Sequence, residues 1–269
     1  GYSQSERDEP DFRRLRYSRS TADSSLPYEL GIPLTQQGDG TSAGRFFSNL
    51  DDAAANAAVN LSLPVWEGKI KVGSLIENRN RNFTARSFTY VQARNGAVDV
   101  DLTASPDSIF TASNFREDGI GIAEDTRLSD SYTAEEHLKT GYLMADMPFT
   151  VADMEFRFIG GVRYESNVQA LSSFSVNDEP VHVDLKTDDW LPSINLLYKA
   201  TPSTNVRLSA TQTLARPSLR EFAPFSFFDF QTQSNVQGNP NLKRSLIQNY
   251  DLRIETFPDI GEVLSVSFF

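Results

Sequence analysis

The stretch Met154–Gln169 reads MEFRFIGGVRYESNVQ. Glu155, Arg157, Arg163, Glu165, Asn167 and Gln169 take odd positions, and Phe156, Phe158, Val162, Tyr164 and Val168 take even ones. Side chains alternate across a β-strand, so this pattern puts one face in water and the other in an apolar phase. A helix would scatter the same charges around its whole cylinder. Ile159 breaks the pattern, and Gly160 and Gly161 add little to either face. The length is unusual, because a globular strand averages roughly five or six residues. A tilted membrane strand needs about 9–11 residues to cross, and outer-membrane strands often continue into the water beyond.

The alternation recurs along the chain. Ala57, Val59, Leu61 and Leu63 oppose Asn56, Asn60 and Ser62, and Ile70, Val72 and Ile76 oppose Lys69, Lys71, Glu77 and Arg79. Trp190, Ile194, Leu196 and Tyr198 oppose Ser193, Asn195 and Lys199. Val206, Leu208 and Ala210 oppose Arg207, Ser209 and Thr211, and Tyr250, Leu252 and Ile254 oppose Asn249, Asp251, Arg253 and Glu255. SYTAEEHLKTGYLM reads as a less regular strand. Tight turns at 65–68, 150–153, 201–204 and 258–261 carry Pro, Gly, Asp or Ser, the residues that turn geometry favours. They alternate with longer connections at about 18–50, 92–130, 177–183 and 223–240. Short and long in alternation is the connectivity of an up-and-down barrel. Trp66, Phe149, Tyr198 and Phe257 gather near the short turns, as an interfacial girdle requires. Aromatics flank turns in many other β proteins as well.

Composition excludes several classes. The 269 residues contain no cysteine, so neither a disulfide framework nor a thiolate metal site exists. The formal charge of -11 argues against nucleic acid as a partner and against a basic surface for anionic lipid. A mean hydropathy of -0.39 looks water-soluble but fits a barrel, where half of each strand faces a polar lumen. The chain opens on GYSQSE and stops on VLSVSFF, both alternating. With an odd count of about nine strands, these ends read as a piece cut from a longer barrel.

Three stretches in the last third carry a more specific signal: NVRLSATQTLARPSLREFAPF, VQGNPNLKRSLIQNYDLRIETFP and GEVLSVSFF. They resemble the barrel of TonB-dependent outer-membrane receptors, most closely in TLARPSLREFAPF and GNPNLK…NYDLR. Many relatives read Leu-Lys-Pro-Glu where this chain has Leu242-Lys243-Arg244-Ser245. The resemblance implies a barrel of about 22 strands with a plugged lumen. It also implies uptake of a scarce nutrient (a siderophore, cobalamin, sugar or peptide-like compound) across the outer membrane of a Gram-negative bacterium. The implied partners are outer-membrane lipid, the nutrient, and the TonB protein through a segment ahead of the plug. Neither plug nor TonB box is recognisable in residues 1–269. The motif itself gives no ligand residues.

Candidate site residues are few. EFAPFSFFDF, Glu221 to Phe230, holds five aromatics. Phe222, Phe225, Phe227, Phe228 and Asp229 form a recognition surface if exposed, or pack the loop onto its neighbours or a plug. Arg216 and Arg220 precede it, and either face a lumenal anion or pair with Glu221 and Asp229. His137 and His182 lack the ligand spacing of a metal site. Asp51-Asp52, Glu135-Glu136 and Asp188-Asp189 are adjacent pairs, which a strand points to opposite faces. REDGIGIAEDT lacks the spaced oxygens of an EF-hand and reads as a solvated loop with weak calcium potential. No nucleophile elbow or phosphate loop is present, so no enzyme, cofactor or metal is expected.

The expected fold is all-β: an antiparallel up-and-down transmembrane β-barrel, present as a partial wall over 1–269, an open curved sheet of about nine strands. Strands are expected at 50–64, 68–91, 131–149, 153–176, 184–200, 204–222 and 241–257, with the first and last strands of the sheet unpaired on one side. Phe156, Phe158, Val162, Tyr164, Leu208, Tyr250, Leu252 and Ile254 should face lipid. Arg157, Arg163, Glu165, Arg207, Asp251 and Arg253 should face the lumen, since Arg or Lys at the bilayer midplane costs roughly 2–4 kcal/mol. Two rival readings share the alternation: a passive porin and a soluble all-β binding or adhesion module.

Overall fold

A computed structural model describes the backbone of residues 1–34, 43–92, 99–229 and 234–269, and the side chains of these except 10–11 and 227–229. Nine strands follow one another in an antiparallel sheet. They are β1 (Tyr2–Arg14), β2 (Gly44–Val65), β3 (Gly68–Gln92), β4 (Ser131–Val151), β5 (Met154–Phe174), β6 (Pro180–Thr201), β7 (Thr204–Ala215), β8 (Ser245–Thr256) and β9 (Leu264–Phe268). Each pairs with its sequence neighbours, and β1 and β9 do not pair with each other. The sheet is therefore open, as expected. A short strand, Ile120–Glu124, adds to the end of β3 opposite Phe88–Gln92.

Most expected strands are present but longer. β2 starts at Gly44 rather than 50, and β6 at Pro180 rather than 184. The 177–183 connection, expected to be long, is only 175–179, closed by a bond from Ser175 N–H to the Glu179 carbonyl. Three expectations overran, the least of them β5, which spans Met154–Phe174 and not 153–176. β7 ends at Ala215, not 222, because Pro217 has no N–H to offer a ladder. Ser218 and Glu221 then form a capping box that starts one helical turn, Leu219–Phe222. β8 starts at Ser245, not 241. At the short-turn end, Ala152 and Asp153 both adopt positive φ, 50° and 65°, as a two-residue type I′ hairpin requires.

The strands are long for a reason visible in their faces. β5 has 21 residues, about 71 Å at ~3.4 Å per residue. Near the short turns one face is apolar: Leu143, Phe149, Phe156, Phe158, Val162, Trp190, Ile194 and Tyr198. The opposite face there holds Asp146, Arg157, Arg163, Asn195 and Lys199. Further along the same strands the polarity reverses. The formerly apolar face carries Asn78, Asn80 and Asn82 on β3, Glu135, His137 and Lys139 on β4, and Asp184, Lys186 and Asp188 on β6. The formerly polar face carries Phe83, Ala85, Tyr132, Ala134, Leu171, Val183 and Leu185.

That second apolar patch needs a cover. The segment after β7 supplies it, laying Leu219, Phe222, Ala223 and Phe225 across the sheet. The covered face is called inner below, and the other outer. Phe225 sits 5.2 Å from Phe83 and 6.1 Å from Phe46, ring centre to ring centre. The first two long connections build a separate core from Leu30, Ile32, Ala43, Tyr90, Ile109 and Ile120. REDGIGIAEDT is therefore not a solvated loop. Ile120 is buried, and its strand binds β3.

Candidate functional site

The inner face between its polar and apolar halves is where the expected site residues meet the wall. Glu165 on β5 lies directly opposite Asp189 on β6. Like charges opposite one another on a sheet repel, and both side chains are nearly fully buried, at 4% and 3% exposure. Three guanidiniums compensate. Arg216 Nη2 is 2.6 Å from Glu165 Oε2 and 4.0 Å from Asp189 Oδ2. Arg244 Nε donates to both Asp189 oxygens at 2.6 and 2.8 Å. Arg163 on β5 reaches Glu165 at 2.7 Å. Removing one partner of such a buried pair leaves an uncompensated charge.

Arg216 thus pairs with Glu165, not with Glu221. Glu221 accepts from the Ser218 N–H at 2.6 Å in the capping box. The chain leaves β7 at Arg216 and crosses β6 toward β5, which brings that guanidinium over the acidic pair. Phe222 has no exposed surface and Phe225 is buried, so both pack the segment onto the wall. Arg220 is exposed. Phe227, Phe228 and Asp229 lie in a hairpin, Ser226–Asp229 with Ser234–Gln237, and their side chains fall outside the described residues. The sequence reading missed Glu165, Asp189 and Arg244 as partners. Glu165 and Asp189 share odd parity, a hint that they share a face.

The inner wall carries matched charges both beyond the acidic pair and toward the short turns. Arg81 pairs with Asp52, and Arg79 Nε lies 3.6 Å from the same carboxylate. A cleft of about 640 Å³ near the short turns includes Lys69, Asp146, Glu155, Arg157 and Lys199. There Arg157 binds Asp146 through two bonds of 2.7 and 2.9 Å, and Lys199 binds Glu155 at 2.7 Å. Tyr142 on β4 reaches across Gly73 to give its hydroxyl to Asn60 Oδ1 at 2.8 Å. Among the described residues no group of three or more metal-ligating side chains gathers. His137 instead bonds Asn78 at 2.8 Å on the outer face.

The two levels of the outer face are bounded by rings. Phe149, Phe156 and Tyr198 stack in a row near the short turns, at 5.4 and 4.9 Å. Eight positions further along β5, Tyr164 packs 4.9 Å from Trp190 and donates its hydroxyl to Asp188 at 2.7 Å. Between these rings the outer face is apolar, and beyond Tyr164 it is polar. The family model for the TonB dependent receptor-like β-barrel matches residues 1–269. The chain belongs to that family. Among solved structures it is similar to the ferric enterobactin receptor PfeA of Pseudomonas aeruginosa. A mutant bound to enterobactin shares 11% identity at a TM-score of 0.29, covering 99% of this chain and 53% of that one. The complex with BCV-L6 shares 12% identity at a TM-score of 0.31, covering 99% and 52%. The chain therefore spans about half the length of these ferric enterobactin receptor structures. Among curated proteins none is significantly similar to it. No helix among the described residues is long and apolar enough to cross a membrane, which says nothing of a barrel.

Proposed function

We propose that this TonB-dependent receptor barrel segment forms part of the wall of an outer-membrane importer of a small nutrient. The carrying observation is the reversal of face polarity along single strands. Phe156 to Tyr164 spans eight residue steps, about 27 Å along the strand at ~3.4 Å per step. Tilted by about 40°, that gives ~21 Å between ring rows, close to the ~25 Å apolar band of outer-membrane barrels once the rings' own width is added. A soluble sandwich has no reason to end its outward apolar face at an aromatic row and continue as a polar one.

In this reading the outer apolar band meets lipid and the inner charged wall lines the lumen. Capture of the nutrient, a siderophore, cobalamin, sugar or peptide-like compound, falls to the rim, where Arg220, Phe227, Phe228 and Asp229 are the candidate contacts. Passage is driven from the inner membrane through TonB, and no covalent chemistry is involved. The test is fractionation and uptake with the full-length protein in a Gram-negative host. The expected result is recovery in the outer membrane, release only by detergent, and nutrient uptake that stops when TonB is deleted. Uptake unaffected by TonB would favour a passive porin, and recovery in the aqueous fraction would favour a soluble binding module.

A further inference from the structure

The connection from Arg216 to Arg244 is held at both ends by one acidic pair. Its entry residue, Arg216, binds Glu165, and its exit residue, Arg244, binds Asp189. Glu165 and Asp189 face each other across two strands and need both guanidiniums. We propose that Arg216–Phe225 is a releasable strap on the inner wall. The salt-bridge cluster is its latch, and release uncovers the aromatic surface of Phe46, Phe83 and Tyr132 to the lumen.

Three observations carry this. First, among the described residues the strap's backbone bonds stay off the sheet: Glu221 N–H to Ser218, Ala223 N–H to Arg220, and, from the returning segment, Asn239 N–H to the Glu221 carbonyl. Side chains tie it to the wall, Gln169 donating to the Pro217 carbonyl at 3.0 Å and Arg216 to Glu165. It can leave without opening the sheet ladder. Second, the strap carries a single helical turn, Leu219–Phe222, so little regular structure resists bending. Third, its root is under-bonded. Asn167 and Gln169 are 1% and 2% exposed, and among the described residues their side-chain oxygens, Thr187 Oγ1 and the Arg216 Nε–H find no hydrogen-bond partner. Asn167 and Thr187 are directly opposite on β5 and β6, one residue pair above the latch. Lifting the strap would let solvent reach these groups, so a polar gain offsets part of the lost aromatic packing. The apolar inner patch beneath, once bare, would present rings and aliphatic side chains toward the lumen at the level where the outer face has already turned polar. That surface suits a ligand with planar apolar parts.

Residues 1–269 hold no cysteine, and once any thiol elsewhere in the receptor is replaced by serine an introduced thiol reports alone. The full-length receptor carrying Ala134→Cys, beneath the strap, is treated in isolated outer membranes with an impermeant maleimide. Ala58→Cys, on the inner face nearer the short turns, is the control. Glu165→Gln with Asp189→Asn removes the latch charge while keeping shape. It should speed labelling at the Ala134→Cys site at least tenfold and leave the control unchanged. Arg244→Gln, which spares the Arg216–Glu165 pair, should give an intermediate rate, and it decides the matter if the double variant fails to assemble. Unchanged labelling, or equal acceleration at both sites, overturns the proposal. The proposal rests on the barrel-wall reading. Heat-modifiable migration of the parent protein tests that reading separately.

Discussion

An arginine placed at two heights on one face of β6 measures where lipid begins and ends. Ile194 lies midway between Trp190 and Tyr198 on the outer face and is 49% exposed. Asp184 is on the same face of the same strand and is exposed. The ten-residue separation is about 34 Å along the strand at ~3.4 Å per residue. At a tilt of about 40° this is ~26 Å of height, against a half-thickness of about 12–13 Å for the apolar band. Ile194→Arg therefore puts a guanidinium near the midplane and should cost roughly 2–4 kcal/mol, whereas Asp184→Arg lies in water and should cost about 0–1 kcal/mol. Reversible unfolding of the full-length protein in lipid vesicles by denaturant reads the difference. Near-equal costs at the two sites would refute the assignment of the polarity reversal to a membrane boundary. So would a larger cost at Asp184.

Three further perturbations address other parts of the fold. A Cβ at Gly73 would collide with the Asn60 amide, the Tyr142 ring and the Val59 carbonyl, so Gly73→Ala should cost about 1–3 kcal/mol by overpacking, read as a lower denaturant midpoint. Phe222→Ala removes a fully buried ring, a loss of about 3–5 kcal/mol where the site cannot collapse. The strap should absorb it by detaching, so hydrogen exchange should rise at 217–225 while the wall melts unchanged. Burial pushes the Asp130 carboxyl above the usual carboxylate range, against its bond from the Arg127 N–H, whereas hydrogen bonding from Arg116 holds Asp118 below it. The charged form of Asp130 thus opposes folding at neutral pH, and that opposition fades as pH falls through its raised value. Asp118 supports folding above its unfolded value, and that support is lost as pH falls through its lowered one. Asp130→Asn keeps an acceptor for the Arg127 N–H, so it should raise exchange protection of 99–130 at neutral pH and steepen its loss in acid. Unchanged neutral-pH protection would contradict the burial argument.

How much of this was readable beforehand depended on which half of a strand was read. In Trp190–Tyr198 the apolar residues other than Leu191 and Leu197 take even positions, and in Phe156–Tyr164 all but Ile159 do. The expected faces of those strands follow, because lipid and lumen impose one phase over a membrane's width. In Val181, Val183 and Leu185 the apolar residues move to odd positions. Within SYTAEEHLKTGYLM, Tyr132 and Ala134 are even while Leu143 is odd. A reading that holds one phase along a whole strand treats this shift as noise. In the structure it is the level where the apolar side passes from the outer face to the inner face under the strap. The strap was legible only in part. Ser218-x-x-Glu221 is a helix-start pattern, and Arg216-Pro217 marks a strand end, but the wall partners of Arg216 and Arg244 lie 51 and 55 residues away in sequence. Local pattern carries no information about which distant carboxylate a guanidinium will meet.

The reversal also explains why the acidic pair can sit where it does. A sheet with a uniformly polar inner face would leave Glu165 and Asp189 in water, where their repulsion is screened and no specific partner is needed. A sheet with a uniformly apolar inner face would exclude them. At the junction, the strap that the upper patch requires passes over the last charged row of β5 and β6. Its two ends therefore cross the acidic pair, and Arg216 and Arg244 meet it there. Truncating Phe222 and neutralising Glu165 should consequently be coupled. Phe222 loosens the tip and Glu165 the root of the same ten-residue segment, so the second change should cost less than it does alone once the first has freed the strap. A double-mutant cycle on strap protection would show this coupling, and strict additivity would mean that tip and root are held independently.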